Sequence, residues 1–165
     1  LSITHTHRTR DEVRLGNAGI PLDLLNGDVL LDPTGISTDE LELNLGGARN
    51  GFGGRLTARW RSSTEAASAL DTLRFSDLTT VGLRLFADLG LQPIAREYPL
   101  LRGARLALIV DNLFDERQDV RNAQGLTPLN YQPDLLDPQG RTIRLTVRKV
   151  FFPSFAPQTR PETRS

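Results

Sequence analysis

The sequence predicts an all-β chain of about six antiparallel strands connected in up-and-down order. Two observations predict it. Apolar and polar residues alternate with period two in six separate stretches, and the connections between those stretches are long or short in a pattern that fits strands running up and down between two different ends. A third observation narrows the membrane possibilities: no apolar run approaches the roughly 18 residues of a membrane helix.

The clearest alternation is RTIRLTVRKVF, Arg141 to Phe151. Ile143, Leu145 and Val147 oppose Thr142, Arg144, Thr146 and Arg148. A helix brings residues three and four apart together and would mix the two sets, whereas a strand separates them. In VGLRLFADLG, Val81, Leu83, Leu85, Ala87 and Leu89 oppose Gly82, Arg84, Phe86 and Asp88. In GRLTARWRS, Leu56, Ala58 and Trp60 oppose Arg55, Thr57, Arg59 and Arg61. In ELELNLG, Leu41, Leu43 and Leu45 oppose Glu40, Glu42 and Asn44. ARLALIVDNLF sets Ala104, Leu106, Leu108 and Val110 against Arg105, Ala107, Ile109 and Asp111, and is apolar on both faces over its middle. The opening LSITHTHRTR alternates more weakly, with His5 and His7 in phase with Ile3.

Strands are therefore expected over 1–14, 38–48, 53–64, 77–90, 103–114 and 141–151. Asn50-Gly51-Phe52-Gly53 is a hairpin turn between the second and third. The connection 91–102 is of medium length, with a helical turn expected around Ile94–Tyr98. Glu65–Ser76 is a medium connection; Leu15–Ser37 and Asp115–Gly140 are long and rich in Gly, Pro, Asn and Asp. The polar, Pro-rich stretch 152–165 reads as a disordered tail after a 1–151 strand-and-loop region.

The chain has 165 residues, with 20 basic and 20 acidic side chains, so charge gives no argument for nucleic acid. Cysteine is absent, which excludes disulfides, thiol catalysis and thiolate metal sites. The chain opens on Leu1 and contains no Met, which leads us to expect a fragment or a processed product. A mean hydropathy of −0.30 looks soluble, but transmembrane barrels place apolar residues on only one face of each strand and keep a low average. Alternation alone fits a soluble β-domain with one wet face at least as well. Loop parity favours the barrel: if the last strand ends in the periplasm, 115–140 and 15–37 are external and 49–52 periplasmic, as their lengths suggest.

Several stretches resemble the C-terminal barrel region of TonB-dependent receptors. LLRGARLALIVDNLFDERQDVRN contains Asn112-Leu113-Phe114-Asp115, similar to the signature that ends that family's penultimate strand. YQPDLLDPQGRTIRLTVRKVF resembles its final loop, with Gly140-Arg141 just before an alternating last strand closing on an aromatic. IPLDLLNGD (20–28) resembles an external loop, and TLRFSDLTTVGLRLFADLG the antepenultimate strand, of a proteobacterial subgroup. The resemblance implies an antiparallel up-and-down transmembrane β-barrel segment, the C-terminal part of a barrel of about 22 strands with a plugged lumen. It implies uptake of a bulky, scarce solute (an iron–siderophore, a cobalamin-like molecule or a carbohydrate) across the outer membrane of a Gram-negative bacterium. The implied partners are the upstream barrel strands and plug, outer-membrane lipid, the barrel-assembly machinery through the terminal strand, and TonB through an N-terminal part outside this chain. Phe151 resembles the terminal aromatic of that family, except that FPSFAPQTRPETRS follows it here.

On this reading Leu83, Leu85, Leu106, Leu108, Ile143 and Leu145 face lipid, and Trp60 belongs either to an interfacial girdle or to simple packing. Ligand contacts are expected from loops 15–37 and 115–140 and from Arg59, Arg84 and Arg105 facing the lumen. No catalytic constellation is visible: no G-x-S-x-G elbow, and Gly46-Gly47 and Gly53-Gly54 flank a hairpin instead of opening a helix. His5 and His7 share a strand face but lack a third metal ligand. Asp23, Asn26, Asp28 and Asp32 do not have EF-hand spacing. No cofactor or enzymatic activity is expected. The alternative is a small soluble lipocalin-like β-barrel for an apolar ligand, which needs about eight strands.

Overall fold

The computed structural model describes residues 1–14, 21–25, 35–67 and 72–151. Four β-strands of the sheet are about as long as the alternating stretches: β4 (Asp39–Arg49), β5 (Phe52–Arg61), β8 (Leu78–Asp88) and β9 (Ala104–Asp111). With β1 (Ser2–His7) on one side and β11 (Thr142–Lys149) on the other, they form a six-stranded sheet in the order β1-β4-β5-β8-β9-β11. Every neighbouring pair is antiparallel. The chain is thus all-β and antiparallel, and its main sheet runs up and down with each strand beside its predecessor in the sheet. The sheet is open, since β1 and β11 each have one strand neighbour among the described residues.

The five remaining strands are short and lie in the connections: β2 (Glu12–Arg14), β3 (Pro21–Asp23), β6 (Thr64–Ala67), β7 (Thr72–Phe75) and β10 (Val120–Arg121). One expectation needs correction here. The opening strand does not run to residue 14. It leaves the sheet after His7, where Arg8 donates from Nη1 to Ser37 O and Glu40 Oε1, both at 2.9 Å, and the chain re-enters strand conformation only as β2, paired with β3. Glu65–Ser76, expected only as a medium connection, carries strands of its own. It holds most of the β6–β7 hairpin, to which β10 adds from the later connection 112–141. The expected tail 152–165, and Asn26, Asp28 and Asp32, lie outside the described residues.

At the opposite end the turns behave as their residues suggest. Asn50 and Gly51 both have positive φ, 51° and 82°, as a two-residue type I′ hairpin requires. The connection after β8 contains a 3₁₀ turn at Leu89–Leu91, the helical turn α1 (Ile94–Glu97) and a second 3₁₀ turn at Pro99–Leu101. Gln92 Nε2 donates to Asn50 O at 2.7 Å, holding this connection against the hairpin. Another helical turn, α2 (Pro133–Leu136), lies before β11. No helix of the described residues is long and apolar enough to cross a membrane, which says nothing of strands.

Register decides what each face carries. Residues opposite one another in a sheet point to the same side. One row reads Leu45–Leu56–Leu83–Val110–Ile143, the next Gly47–Gly54–Leu85–Leu108–Leu145. Rows Ile3–Leu43–Ala58–Val81 and Phe52–Ala87–Leu106–Val147 continue the same face. All six strands therefore turn their apolar side the same way. Among the described residues no second layer covers it: Leu45 is 51% exposed, Leu85 42%, and Ile143, Leu145 and Val147 between 66% and 69%.

The tightest apolar cluster lies elsewhere, in the connections. Phe75 and Val120 are almost wholly buried with Ala66, against Leu73 and Tyr131. The Phe75 and Tyr131 rings meet edge-to-face with centroids 5.8 Å apart. Ser76 N donates to Asp119 O, Asp119 N donates to Ser76 Oγ, and Gln118 Nε2 donates to Ser76 O, closing this small sheet; Arg61 ties it to β5 through Gln118 Oε1. A soluble domain puts its core under its largest sheet; here the largest sheet contributes only Ala104 and Val110 to the buried apolar set.

Candidate functional site

The polar side of the sheet carries the chemistry. Period-two alternation sends Glu42 and Asn44 of β4, Arg55, Thr57 and Arg59 of β5, Thr80, Arg84 and Phe86 of β8, Arg105 of β9, and Arg144, Thr146 and Arg148 of β11 to this face. It is concave and borders an open depression of about 1180 Å³, lined in part by Arg55, Arg59, Arg84, Arg105 and Thr146.

All three arginines expected to face a lumen are on this side, but their situations differ. Arg59 is engaged: its Nε donates to Glu42 Oε2 at 2.8 Å, and Glu42 also accepts from Asn44 Nδ2. Arg105 is engaged twice. It pairs with Asp88 at 3.2 Å and lies over the Phe86 ring, 5.5 Å from its centroid. That ring in turn covers Gly53, where an added Cβ would overlap it. Arg105, Phe86 and Gly53 thus form a stack that fills the space glycine leaves, so Arg105 serves packing as much as charge. Arg84 differs, having no acidic partner among the described residues. It stands directly opposite Arg55 on one side and Ile109 on the other, and Ile109 stands opposite Arg144. Arg55 and Arg144 were not singled out as ligand contacts from the sequence. The alternation put them on the polar side of their own strands, but only the register reveals that they share a row with Arg84.

Of the loops expected to contact ligand, 115–140 is described throughout, whereas 15–20 and 26–34 lie outside the described residues. Loop 115–140 begins at the Asn112–Asp115 stretch, which forms a corner. Asn112 and Asp115 both take left-handed backbone, φ 51° and 58°. The Asn112 side chain accepts from Glu116 N and donates to Glu116 O, so one amide closes the turn in both directions. Asp115 Oδ1 then accepts from Arg141 N at 2.8 Å, across 26 residues, and Arg141 Nη1 reaches Leu113 O. Gly140 sits on this contact with φ 52°. Asn112–Asp115 and Gly140-Arg141 are therefore two halves of one latch, fixing where β11 starts beside β9.

The apolar side has polar rims. Near the connection-rich end, Trp60 lies in the row Leu41–Trp60–Thr79 and its Nε1 donates to Asp77 Oδ2 at 3.2 Å. His5, opposite Leu41, and His7 both reach Asp39 Oδ1, through Nε2 at 3.0 Å and Nδ1 at 2.7 Å. No group of three or more His, Cys, Asp or Glu among the described residues is arranged to hold a metal ion. At the hairpin end the rim is Arg49, opposite Phe52, and Lys149, whose Nζ donates to Leu100 O and Arg102 O. Between these rims the face carries no charged side chain. In the hairpin beyond β1, the Arg10 guanidinium, 2.7 Å away, holds the Glu12 carboxyl below its ordinary range.

Fold and faces together define a class: an antiparallel up-and-down sheet with one uncovered apolar side and one arginine-rich side. No family model, no curated protein and no solved structure matches the chain.

Proposed function

We propose that this chain forms neighbouring strands of a closed β-barrel in the outer membrane of a Gram-negative bacterium, as the C-terminal barrel part of a TonB-dependent receptor that takes up a bulky, scarce solute. The observation that carries the reading is the uncovered apolar face, continuous over six strands and free of charge between its rims. Exposed apolar patches beyond a few hundred Å² mark contact with a membrane or a partner. Lipid suits this one, because the covered state then needs no second sheet.

Dimensions support the same reading. A membrane strand needs about 9–11 residues; β4, β5 and β8 have 11, 10 and 11. Phe52 and Trp60 lie on the apolar side of β5, eight positions apart, or about 27 Å of strand. With a tilt of about 40° that spans about 21 Å, near the ~25 Å apolar band that aromatic girdles flank in such barrels. Trp60, apolar ring outward and N–H held by Asp77, fits an interfacial position.

Lipid offers no partners to backbone N–H and C=O groups, so the free edges of β1 and β11 must pair with further strands of a barrel. The resemblance to receptors of about 22 strands supplies about sixteen of them. The Asn112–Asp115 and Gly140-Arg141 latch sets the last strand's start, consistent with a terminal strand whose register matters for closure and for the assembly machinery. The uptake role, for a siderophore, cobalamin-like molecule or carbohydrate, rests on the resemblance, and TonB coupling and the plug belong to sequence upstream.

Phase partitioning tests the proposal. The purified chain is expected to enter the detergent-rich phase and to precipitate or self-associate when detergent is removed. A monomeric chain that unfolds cooperatively in water without detergent contradicts it.

A further inference from the structure

We infer that Arg55, Arg84 and Arg144 form a binding site for a polyanionic solute, one bearing at least two carboxylate or phosphate groups. The site rests on the reading of the arginine-rich face as the wall of an aqueous lumen, and it names the chemistry of what that wall binds. Arg55 and Arg84 are directly opposite in register. Like charges so placed repel and destabilise a strand pair. Elsewhere on this face arginines are neutralised, Arg59 by Glu42 and Arg105 by Asp88. In this row they are not, and no acidic residue among those described pairs with Arg55, Arg84 or Arg144. Asp111, two positions from Ile109 on the same side of β9, is the acid next along that strand, and the partner it accepts from is Thr142 Oγ1, at 3.4 Å.

Spacing selects the ligand. Opposite residues have Cβ atoms about 5 Å apart, so Arg55 and Arg84 can converge on one anionic group. Arg144 is two strand spacings from Arg84, about 10 Å, with Ile109 between them as an apolar seat. A single small anion reaches one end of this row; a solute with two anionic groups separated by an apolar or neutral spacer reaches both. Guanidinium groups grip carboxylate and phosphate through paired N–H donors, which favours these oxyanions over halide. Arg55, Arg84 and Ile109 border the concavity of about 1180 Å³, which admits more than a bare ion.

The test uses the full chain in detergent micelles, with citrate and adipate, whose carboxylates are held apart by a carbon spacer, as probes followed by titration calorimetry. Saturable binding of at least one probe is expected, weakening as salt rises. Arg84→Gln is expected to weaken it at least tenfold, and Arg55→Gln and Arg144→Gln severalfold each. Arg74→Gln, on the β6–β7 hairpin and paired with Glu65, is expected to leave it unchanged. Arg84→Glu separates binding from folding, because it places an acid opposite Arg55: binding is lost while the unfolding midpoint holds or rises. Absence of saturable binding, equal weakening by Arg74→Gln, or loss of binding only alongside a fall in the unfolding midpoint overturns the site. These readouts differ from detergent partitioning, so the anion site and the membrane reading fail separately.

Discussion

Leu145→Arg is expected to destabilise the membrane-inserted chain by about 2–4 kcal/mol, whereas Thr146→Arg is expected to leave it almost unchanged. The two residues are neighbours on β11 and both are exposed. Leu145 stands in the row Gly47–Gly54–Leu85–Leu108–Leu145, in the middle of the charge-free band. Thr146 stands opposite Ala107 on the side that carries Arg84, Arg105 and Arg144. On the proposed barrel reading, a guanidinium placed at 145 must leave water for hydrocarbon or drag water inward. At 146 it stays hydrated among other arginines. The sign of the first effect separates the architectures. In a water-soluble β-domain a side chain as open as Leu145, 69% exposed, would gain solubility from the change and lose little stability. Urea unfolding from lipid or detergent reads both variants, and equal damage at the two positions contradicts the assignment of faces.

Gly140→Ala is expected to cost more than a backbone penalty alone. Its φ of 52° disfavours any side chain, at about 1–3 kcal/mol. A Cβ there would also overlap Asp115 Oδ1 and come within 2.7 Å of Arg117 Nη2. Asp115 is the acceptor for Arg141 N, so relieving the overlap breaks the bond that sets the start of β11. Gly125→Ala supplies the control: φ is 77° but nothing lies within 4 Å of the added Cβ, leaving the backbone term alone. Denaturant midpoints of the two variants measure the difference. Equal costs would mean that Asp115 and Arg117 move aside freely and that no latch exists.

Much of the fold was legible in the sequence because a half-apolar strand writes its two faces into alternate residues. Leu41 to Leu45, Leu83 to Ala87 and Ile143 to Val147 show it, and Asn50-Gly51 marks its hairpin because few other pairs accept positive φ twice. Two features were not legible. The opening strand stops at His7 because Arg8 is drawn to Ser37 and Glu40, residues about 30 positions away. β6, β7 and β10 are short and gain their stability from the burial of Phe75 against Val120, 45 residues apart, which no local window contains.

The candidate site was half visible for the same reason. Alternation placed Arg59, Arg84 and Arg105 on the polar side, but which arginines are neutralised depends on cross-strand neighbours. Glu42 finds Arg59 through the β4–β5 register, and Asp88 finds Arg105 through β8–β9. The same registers put Arg55 and Arg144 in line with Arg84. The Asn112–Asp115 stretch was visible as a pattern, but its work is structural: it turns the chain out of β9 and holds the start of β11.

The absence of cysteine permits one measurement that addresses the central claim directly. Single cysteines placed in turn at 142 to 149, spin-labelled and reconstituted in lipid vesicles, report access to oxygen, which concentrates in hydrocarbon, and to a water-soluble nickel chelate. Positions 143, 145 and 147 are expected to be open to oxygen and closed to the chelate, and 144, 146 and 148 the reverse. Chelate access that is uniform along β11 would contradict the claim that its apolar side meets lipid.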